Sequence, residues 1–124
     1  MLDVKALLTK VLDALKVDYV VEQGTSGNWN YRKWSSGITE AWIQSLNLGS
    51  QTPSVWVSPV RYKDLTVSIP PGLFSNTPSI TASSATNQWW VVDMNATSTT
   101  SASARFGTMS STAQTVYVNI YARG

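Results

Sequence analysis

The sequence predicts a mainly β protein: an antiparallel β-sandwich or jelly-roll-like head preceded by a short N-terminal coiled-coil helix. Residues 2–16 repeat apolar side chains at helical spacing, whereas residues 18–124 alternate apolar and polar side chains in short runs between turn residues. All six Trp residues lie in the second part. We therefore expect two units, a helical stalk over residues 1–17 and a β head over residues 18–124.

The predicted helix has an apolar seam. Met1, Val4, Leu8, Val11 and Leu15 follow the alternating three- and four-residue spacing of a coiled coil. Leucine at one seam position and valine at the other disfavour a parallel dimer and favour three or four strands. A helix of about two heptads is marginal in water on its own, so assembly needs help from the β head. Two alternatives stay open, a helix packed on its own sheet and a helix lying on a membrane surface.

The strongest hairpin signal in the chain spans residues 28–43. Ser35-Ser36-Gly37 fits a three-residue loop with the glycine in the left-handed region. This loop sets three cross-strand pairs: Trp34 with Ile38, Arg32 with Glu40, and Asn30 with Trp42. Aromatic side chains then occupy both faces of the hairpin, so we expect the domain core to cover one face and a neighbouring subunit to cover the other.

Other short strands are predicted on both sides of this hairpin. They are expected at residues 19–22, 54–60, 63–69, 79–82, 89–95, 104–109 and 115–122. The strand at 63–69 ends before Pro70-Pro71-Gly72, because proline cannot donate to a ladder. Leu73 and Phe74 are expected to close one end of the core, and residues 95–103 form a polar hairpin tip.

The composition excludes several classes of function. Cys and His are both absent, which removes thiolate metal sites, the commonest metal ligand and any Ser-His-Asp arrangement. The net charge is +2 and the basic residues form no stripe, so we expect no nucleic-acid partner. Charged residues interrupt the N-terminal apolar segment, and no apolar run is long enough to cross a membrane. We therefore expect synthesis in the cytoplasm without a signal peptide, no membrane partner and no cofactor.

Paired acidic residues offer little support for catalysis. A glycosidase needs two carboxylates across the scissile bond. Glu22 with Glu40, or Asp64 with Asp93, can in principle meet in the fold. Glu40 is better explained as the cross-strand partner of Arg32, and nothing in the sequence around the other acids indicates a catalytic pair. We therefore expect no enzymatic activity.

A saccharide site usually combines an aromatic face with a few planar polar groups. Trp89-Trp90 is the most suggestive place, since one of two adjacent strand residues faces outward. Arg105 is expected across the hairpin from this strand. The candidate ligand-binding residues are Gln88, Trp89, Trp90, Asp93, Asn95 and Arg105. The alternative is that both Trp side chains are buried, one in the core and one between subunits. A weaker second cluster comprises Trp56, Arg61 and Tyr62.

Three segments resemble the tail-fibre and receptor-binding head proteins of phages and prophages of Gram-positive bacteria. They are residues 19–42 (YVVEQGTSGNWNYRKWSSGITEAW), 65–80 (LTVSIPPGLFSNTPSI) and 116–124 (VYVNIYARG), of which the first is the most specific. The topology is also distantly similar to the H-type lectin domain, a trimeric sugar-binding sandwich. That family favours Trp in its last strand, where this chain has Tyr117 and Tyr121. Its sugar-binding residues are therefore not carried over.

The resemblance implies a non-enzymatic homotrimer in the virion tail. Such heads contact other phage tail proteins and attach the particle to a cell-surface polysaccharide or teichoic acid. In this setting Val4, Leu8, Val11 and Leu15 are the expected oligomerisation residues. The alternative is a purely structural virion protein, such as a baseplate or decoration protein, that binds another phage protein.

Overall fold

The fold consists of one helix followed by nine strands within the residues that the structure describes. A computed structural model describes residues 3–15, 17–53, 55–57, 60–85, 91–110 and 112–124. The elements are α1 Val4–Ala14, β1 Val20–Ser26, β2 Trp29–Trp34, β3 Thr39–Gln51, β4 Val55–Val57, β5 Val60–Ser68, β6 Ser79–Ser84, β7 Val91–Ala96, β8 Ser101–Thr108 and β9 Gln114–Arg123. This confirms the prediction of a mainly β chain with a short helix at its N-terminus.

The strands form two antiparallel sheets that share one core. The five-stranded sheet has the order β1-β2-β3-β9-β6, and the four-stranded sheet has the order β4-β5-β8-β7. Alternate side chains of both sheets point inward and form one buried cluster. Its members include Trp29, Ile43, Val67, Phe106, Val118 and Ile120. The predicted antiparallel sandwich is therefore confirmed.

The β2–β3 hairpin has the predicted register. Arg32 stands opposite Glu40, and Asn30 stands opposite Trp42. The loop closes with Gly37 at φ +92°, the left-handed region that was expected. On the inner face Trp29 is buried, and its indole N–H donates to the carbonyl oxygen of Ser68 on β5 at 3.0 Å. This bond joins the two sheets directly.

β1 and β3 extend furthest past their predicted ends, because irregular residues hide their continuation. β3 extends to Gln51 through bulges near Ser45, at φ +52°, and Gly49, at φ +82°. Each bulge shifts the register, so the apolar and polar side chains stop alternating. β1 likewise continues through Gly24 to Ser26, past the predicted end of this strand at residue 22. The prediction that the strand at 19–22 ends before Gly24 was therefore wrong.

The chain end and the segment after β5 close the same end of the core. Leu73 and Phe74 are buried there, as predicted. Thr39 and Gly124 exchange two backbone hydrogen bonds, with N···O distances of 2.6 and 2.9 Å. These bonds join the end of β9 to the start of β3 and complete the pairing of the two strands.

The helix lies apart from the sandwich core. Asp3 caps its N-terminus by accepting a hydrogen bond from the Ala6 backbone N–H at 3.2 Å. None of its residues is buried. The hydroxyl of Tyr19 donates to the Asp13 carboxylate at 2.8 Å, which connects the helix to the start of the β part. No helix in the described part of the chain is long and apolar enough to cross a membrane.

Candidate functional site

The outer face of the four-stranded sheet brings together three of the predicted site residues. Asp93 of β7 stands opposite Arg105 of β8, which in turn stands opposite Asp64 of β5. Asn95 lies two residues beyond Asp93 on the same face and stands opposite Ser103. These residues line a groove of about 330 Å³, called the polar groove below.

Arg105 is held in a fixed orientation inside the polar groove. Its Nε donates to Asp64 Oδ1 at 2.7 Å, and its Nη2 donates to Asp64 Oδ2 at 3.0 Å. The guanidinium carbon lies 4.1 Å from the centroid of the Tyr62 ring. The hydrogen bonds from Arg105 lower the pKa of the Asp64 carboxyl. A guanidinium held by a carboxylate and an aromatic ring is preorganised, which favours recognition of a polar ligand.

Asp64 and Asp93 flank Arg105, so one pair of acids does meet in the fold. A glycosidase with two carboxylates needs one that stays protonated near neutral pH. Arg105 has the opposite effect on Asp64, because it lowers the pKa of that carboxyl. Asp64 is therefore ionised and unsuited to donate a proton. Among the described residues, no group of three or more acidic, His or Cys side chains is arranged to hold a metal ion.

Most of the other predicted site residues fall outside what the structure describes. Gln88, Trp89 and Trp90 lie outside the described residues, as does the side chain of Trp56. The Tyr62 ring lies against the Arg105 guanidinium, beside the polar groove. The ligand-binding role of all these residues stays a prediction.

A second groove, which the sequence did not predict, lies on the outer face of the five-stranded sheet. It has a volume of about 510 Å³ and is called the aromatic groove below. Trp42 of β3 stands directly opposite Tyr121 of β9. Polar neighbours include Gln44, Thr81 and Asn119. The outward positions of both strands were visible in the sequence, but their adjacency was not, because β3 and β9 are far apart along the chain.

Glu40 organises the side chains beside the aromatic groove. Its carboxylate accepts hydrogen bonds from Arg32 Nε at 3.0 Å, from the Trp34 indole and from the Tyr121 hydroxyl. The Arg32 guanidinium carbon lies 5.4 Å from the centroid of the Trp34 ring and 5.3 Å from that of Trp42. These hydrogen bonds, led by the one from Tyr121, lower the pKa of Glu40 to about 2. The network orients both aromatic rings of the groove.

The helix presents an apolar stripe to solvent within the described part of the chain. Val4 is 70% exposed, Leu8 56%, Val11 46% and Leu15 65%. These are the four residues predicted to form an oligomer seam. Contiguous exposed apolar side chains usually mark a contact surface.

Solved structures of known proteins share the fold of this chain. The fold is similar to that of a pyocin tail fibre. An N-truncated R1-type pyocin tail fibre matches with a TM-score of 0.58 and 14% identity, over 94% of this chain and 94% of that chain. A C-terminal fragment of the P. aeruginosa R1 pyocin fibre matches with a TM-score of 0.52 and 14% identity, and this match spans 31% of the longer fragment. No family model matches the sequence, and no curated protein matches it either.

Proposed function

We propose that the chain is a non-enzymatic tail-fibre head that assembles as a homotrimer and recognises saccharide on the bacterial surface. The likeness to the R1-type pyocin tail fibre carries this proposal, because it extends over 94% of both chains. On this proposal the protein belongs to a virion tail, and other tail proteins are its partners.

The helix supports the trimeric part of the proposal. Its apolar stripe is exposed, and the described part of the β head does not cover it. The seam residues Leu8 and Val11 favour assemblies of three or four strands over a parallel dimer. A helix this short needs a second contact between subunits, which the β heads are expected to provide.

Light scattering on the purified chain tests the assembly. We expect three times the mass of the 13.5 kDa chain. Leu8→Asp combined with Val11→Asp should reduce the mass, because it places charges in the seam. Ala6→Asp combined with Thr9→Asp is the matched control, since it adds the same charge to the same helix outside the seam. A monomeric wild type, or equal masses for both double variants, would contradict assembly through the helix.

The two grooves support the saccharide part of the proposal. The aromatic groove combines polar groups with two aromatic rings, as sugar-binding surfaces commonly do. The polar groove offers fixed polar groups, with the Tyr62 ring beside it against Arg105. Both lie on outer faces of the sandwich, where a polymer can reach them without opening the fold. Three copies per fibre would multiply a weak single-site affinity.

Binding to cells tests recognition of the bacterial surface. The labelled wild-type chain should coat host bacteria and bind their isolated wall polymers. If it coats none of the candidate hosts but binds phage particles that lack it, the protein is a structural virion component instead. Release of reducing sugar from the polymers would contradict the non-enzymatic part of the proposal.

A further inference from the structure

The aromatic groove has the chemistry of a sugar site, although no sequence motif pointed to it. Trp42 stands opposite Tyr121, and Tyr121 stands opposite Thr81 of β6. These three side chains form one row across the outer face, since directly opposed residues share a face. The two aromatic side chains thus lie side by side on a surface that is open to solvent.

Planar amides and hydroxyl groups surround this aromatic row. Asn119 lies two residues before Tyr121 on β9 and stands opposite Ser83. The bulge at Ser45 turns its backbone N–H towards Asn119, whose Oδ1 accepts it at 2.8 Å. This bond fixes the orientation of the amide. Gln44 adds a second exposed amide to the groove.

The aromatic side chains of the groove are held before any ligand arrives. Glu40 accepts hydrogen bonds from the Tyr121 hydroxyl and from Arg32. The Arg32 guanidinium in turn lies over the Trp42 ring. A ligand therefore meets oriented rings and loses little affinity to ordering them.

The charge of the groove selects the class of ligand. No described residue that lines it is charged. Of the charged side chains beside it, Arg32 and Glu40 form an ion pair with each other at 3.0 Å, and Arg123 stands opposite Glu40 on β9. The phosphate of a teichoic acid is normally recognised by Arg or Lys, which the lining lacks. An uncharged sugar ring instead matches an aromatic surface with neutral hydrogen-bonding groups.

We infer that the aromatic groove binds an uncharged pyranose residue of the bacterial surface saccharide. Trp42 and Tyr121 contact the C–H face of the ring, while Asn119 and Gln44 bind its hydroxyl or acetamido groups. The inference rests on the proposed function and assigns it both a site and a class of sugar. The polar groove, where sequence reasoning placed its candidates, is then not the principal site.

A matched pair of threonine variants separates the two grooves. Thr81 and Thr66 are both exposed strand residues, one in the aromatic groove and the other in the polar groove. Thr81→Lys places a long charged chain beside Tyr121, whereas Thr66→Lys makes the same change on the opposite sheet. On host cells that the labelled wild type coats, we expect Thr81→Lys to weaken binding at least about tenfold and Thr66→Lys to weaken it less than about twofold.

A second pair of variants is the control for a folding defect in the first pair. Ser83→Lys and Ser103→Lys repeat the comparison at exposed serines in the aromatic and polar grooves. Each variant is checked by thermal unfolding and by light scattering. If Thr81→Lys or Ser83→Lys lowers the oligomer mass, this face is a contact between subunits, and the inference is overturned.

Titration of the full chain followed by NMR identifies the class of sugar. The probes are the methyl glycosides of glucose, galactose and N-acetylglucosamine, with glycerol phosphate as the anionic probe. We expect a glycoside to shift the Trp42 indole and Asn119 side-chain amide resonances, and glycerol phosphate to leave both unchanged. Trp42→Phe assigns the indole signal. Shifts caused by glycerol phosphate alone would overturn the assignment of an uncharged ligand.

The outcomes distinguish a wrong site from a wrong function. If the wild type coats cells, and Thr66→Lys but not Thr81→Lys abolishes binding, the site inference is wrong while the proposed function stands. If the wild type coats no cells and no glycoside shifts any resonance, the proposed function is itself overturned. Loss of binding in Thr81→Lys alone, at unchanged mass and stability, supports both.

Discussion

Glu40 shows how much one carboxylate can organise on the surface of a sheet. The sequence predicted its pairing with Arg32, and the structure confirms that contact at 3.0 Å. In the structure Glu40 also accepts hydrogen bonds from Trp34 and Tyr121, which no local pattern predicted. A carboxylate with several donors is stabilised in its ionised form, which explains its low pKa.

The stability of the fold should therefore fall at acidic pH. Folding lowers the pKa of Glu40 from 4.5 to about 2. The contribution of Glu40 to stability is complete above its unfolded pKa and is lost as pH falls through the folded pKa. We expect a loss on the order of 2 kcal/mol between pH 5 and pH 2. Urea unfolding across this range measures it.

Glu40→Gln is the control for this pH dependence. The variant removes the titrating group while keeping a side chain of similar shape. It should be less stable than the wild type at pH 7, and its stability should change less between pH 5 and pH 2. An unchanged pH profile would assign the acid sensitivity to other carboxylates.

Trp29 is the buried residue whose polar group joins the two sheets. Trp29→Phe keeps an aromatic ring but leaves the Ser68 carbonyl without its indole partner. We expect a loss of about 1–3 kcal/mol in the free energy of unfolding. Trp42→Phe makes the same change on the outer face and should cost less, because Trp42 is only half-buried. Equal losses in urea unfolding would contradict a special role for the indole bond.

At the scale of secondary-structure elements, local sequence patterns predicted the pairing of strands that are adjacent along the chain. The β2–β3 hairpin was predicted with its register because a three-residue loop fixes the pairing. Local reasoning also placed Arg105 across the β7–β8 hairpin, where the structure sets it opposite Asp93. Asp64 in the polar groove, and Tyr62 beside it, come from β5. Its pairing with β8 depends on the packing of the whole sheet.

Irregular strands and distant pairings limited the prediction elsewhere. The bulges at Ser45 and Gly49 concealed the second half of β3. The aromatic groove needs β3, β9 and β6 as neighbours, an order that periodicity cannot give. Its polar residues were therefore visible in the sequence, whereas their proximity was not.

The hairpin loop offers a test of backbone strain. Gly37 lies at φ +92°, and a Cβ added there meets no atom within 4 Å. Gly37→Ala should therefore destabilise through backbone strain and not through a clash, by about 1–2 kcal/mol. Gly37→Asn should cost less, because asparagine tolerates the left-handed region. Thermal unfolding of both variants measures the difference, and equal losses would contradict this explanation.

At the scale of the whole molecule, assembly should couple to stability. If the heads and helices associate in a trimer, the midpoint of thermal unfolding rises with protein concentration. The Leu8→Asp, Val11→Asp double variant should lose this dependence, whereas the Ala6→Asp, Thr9→Asp control should retain it. Calorimetry over a hundredfold range of protein concentration is sensitive enough, because this range changes the free energy of association by about 2.7 kcal/mol per binding step. A constant midpoint in the wild type would contradict the trimer.

The bonds between Gly124 and Thr39 fix the end of the sandwich at which the last strand finishes. β9 ends beside the start of β3. Near that point, the backbone N–H of Ser35 donates to the carbonyl oxygen of Tyr19 at 2.7 Å. Both termini of the β part therefore emerge at the same end. A tag or surface tether fused after Gly124 would attach beside the helix, leaving the outer sheet faces and the loops at the opposite end free for display.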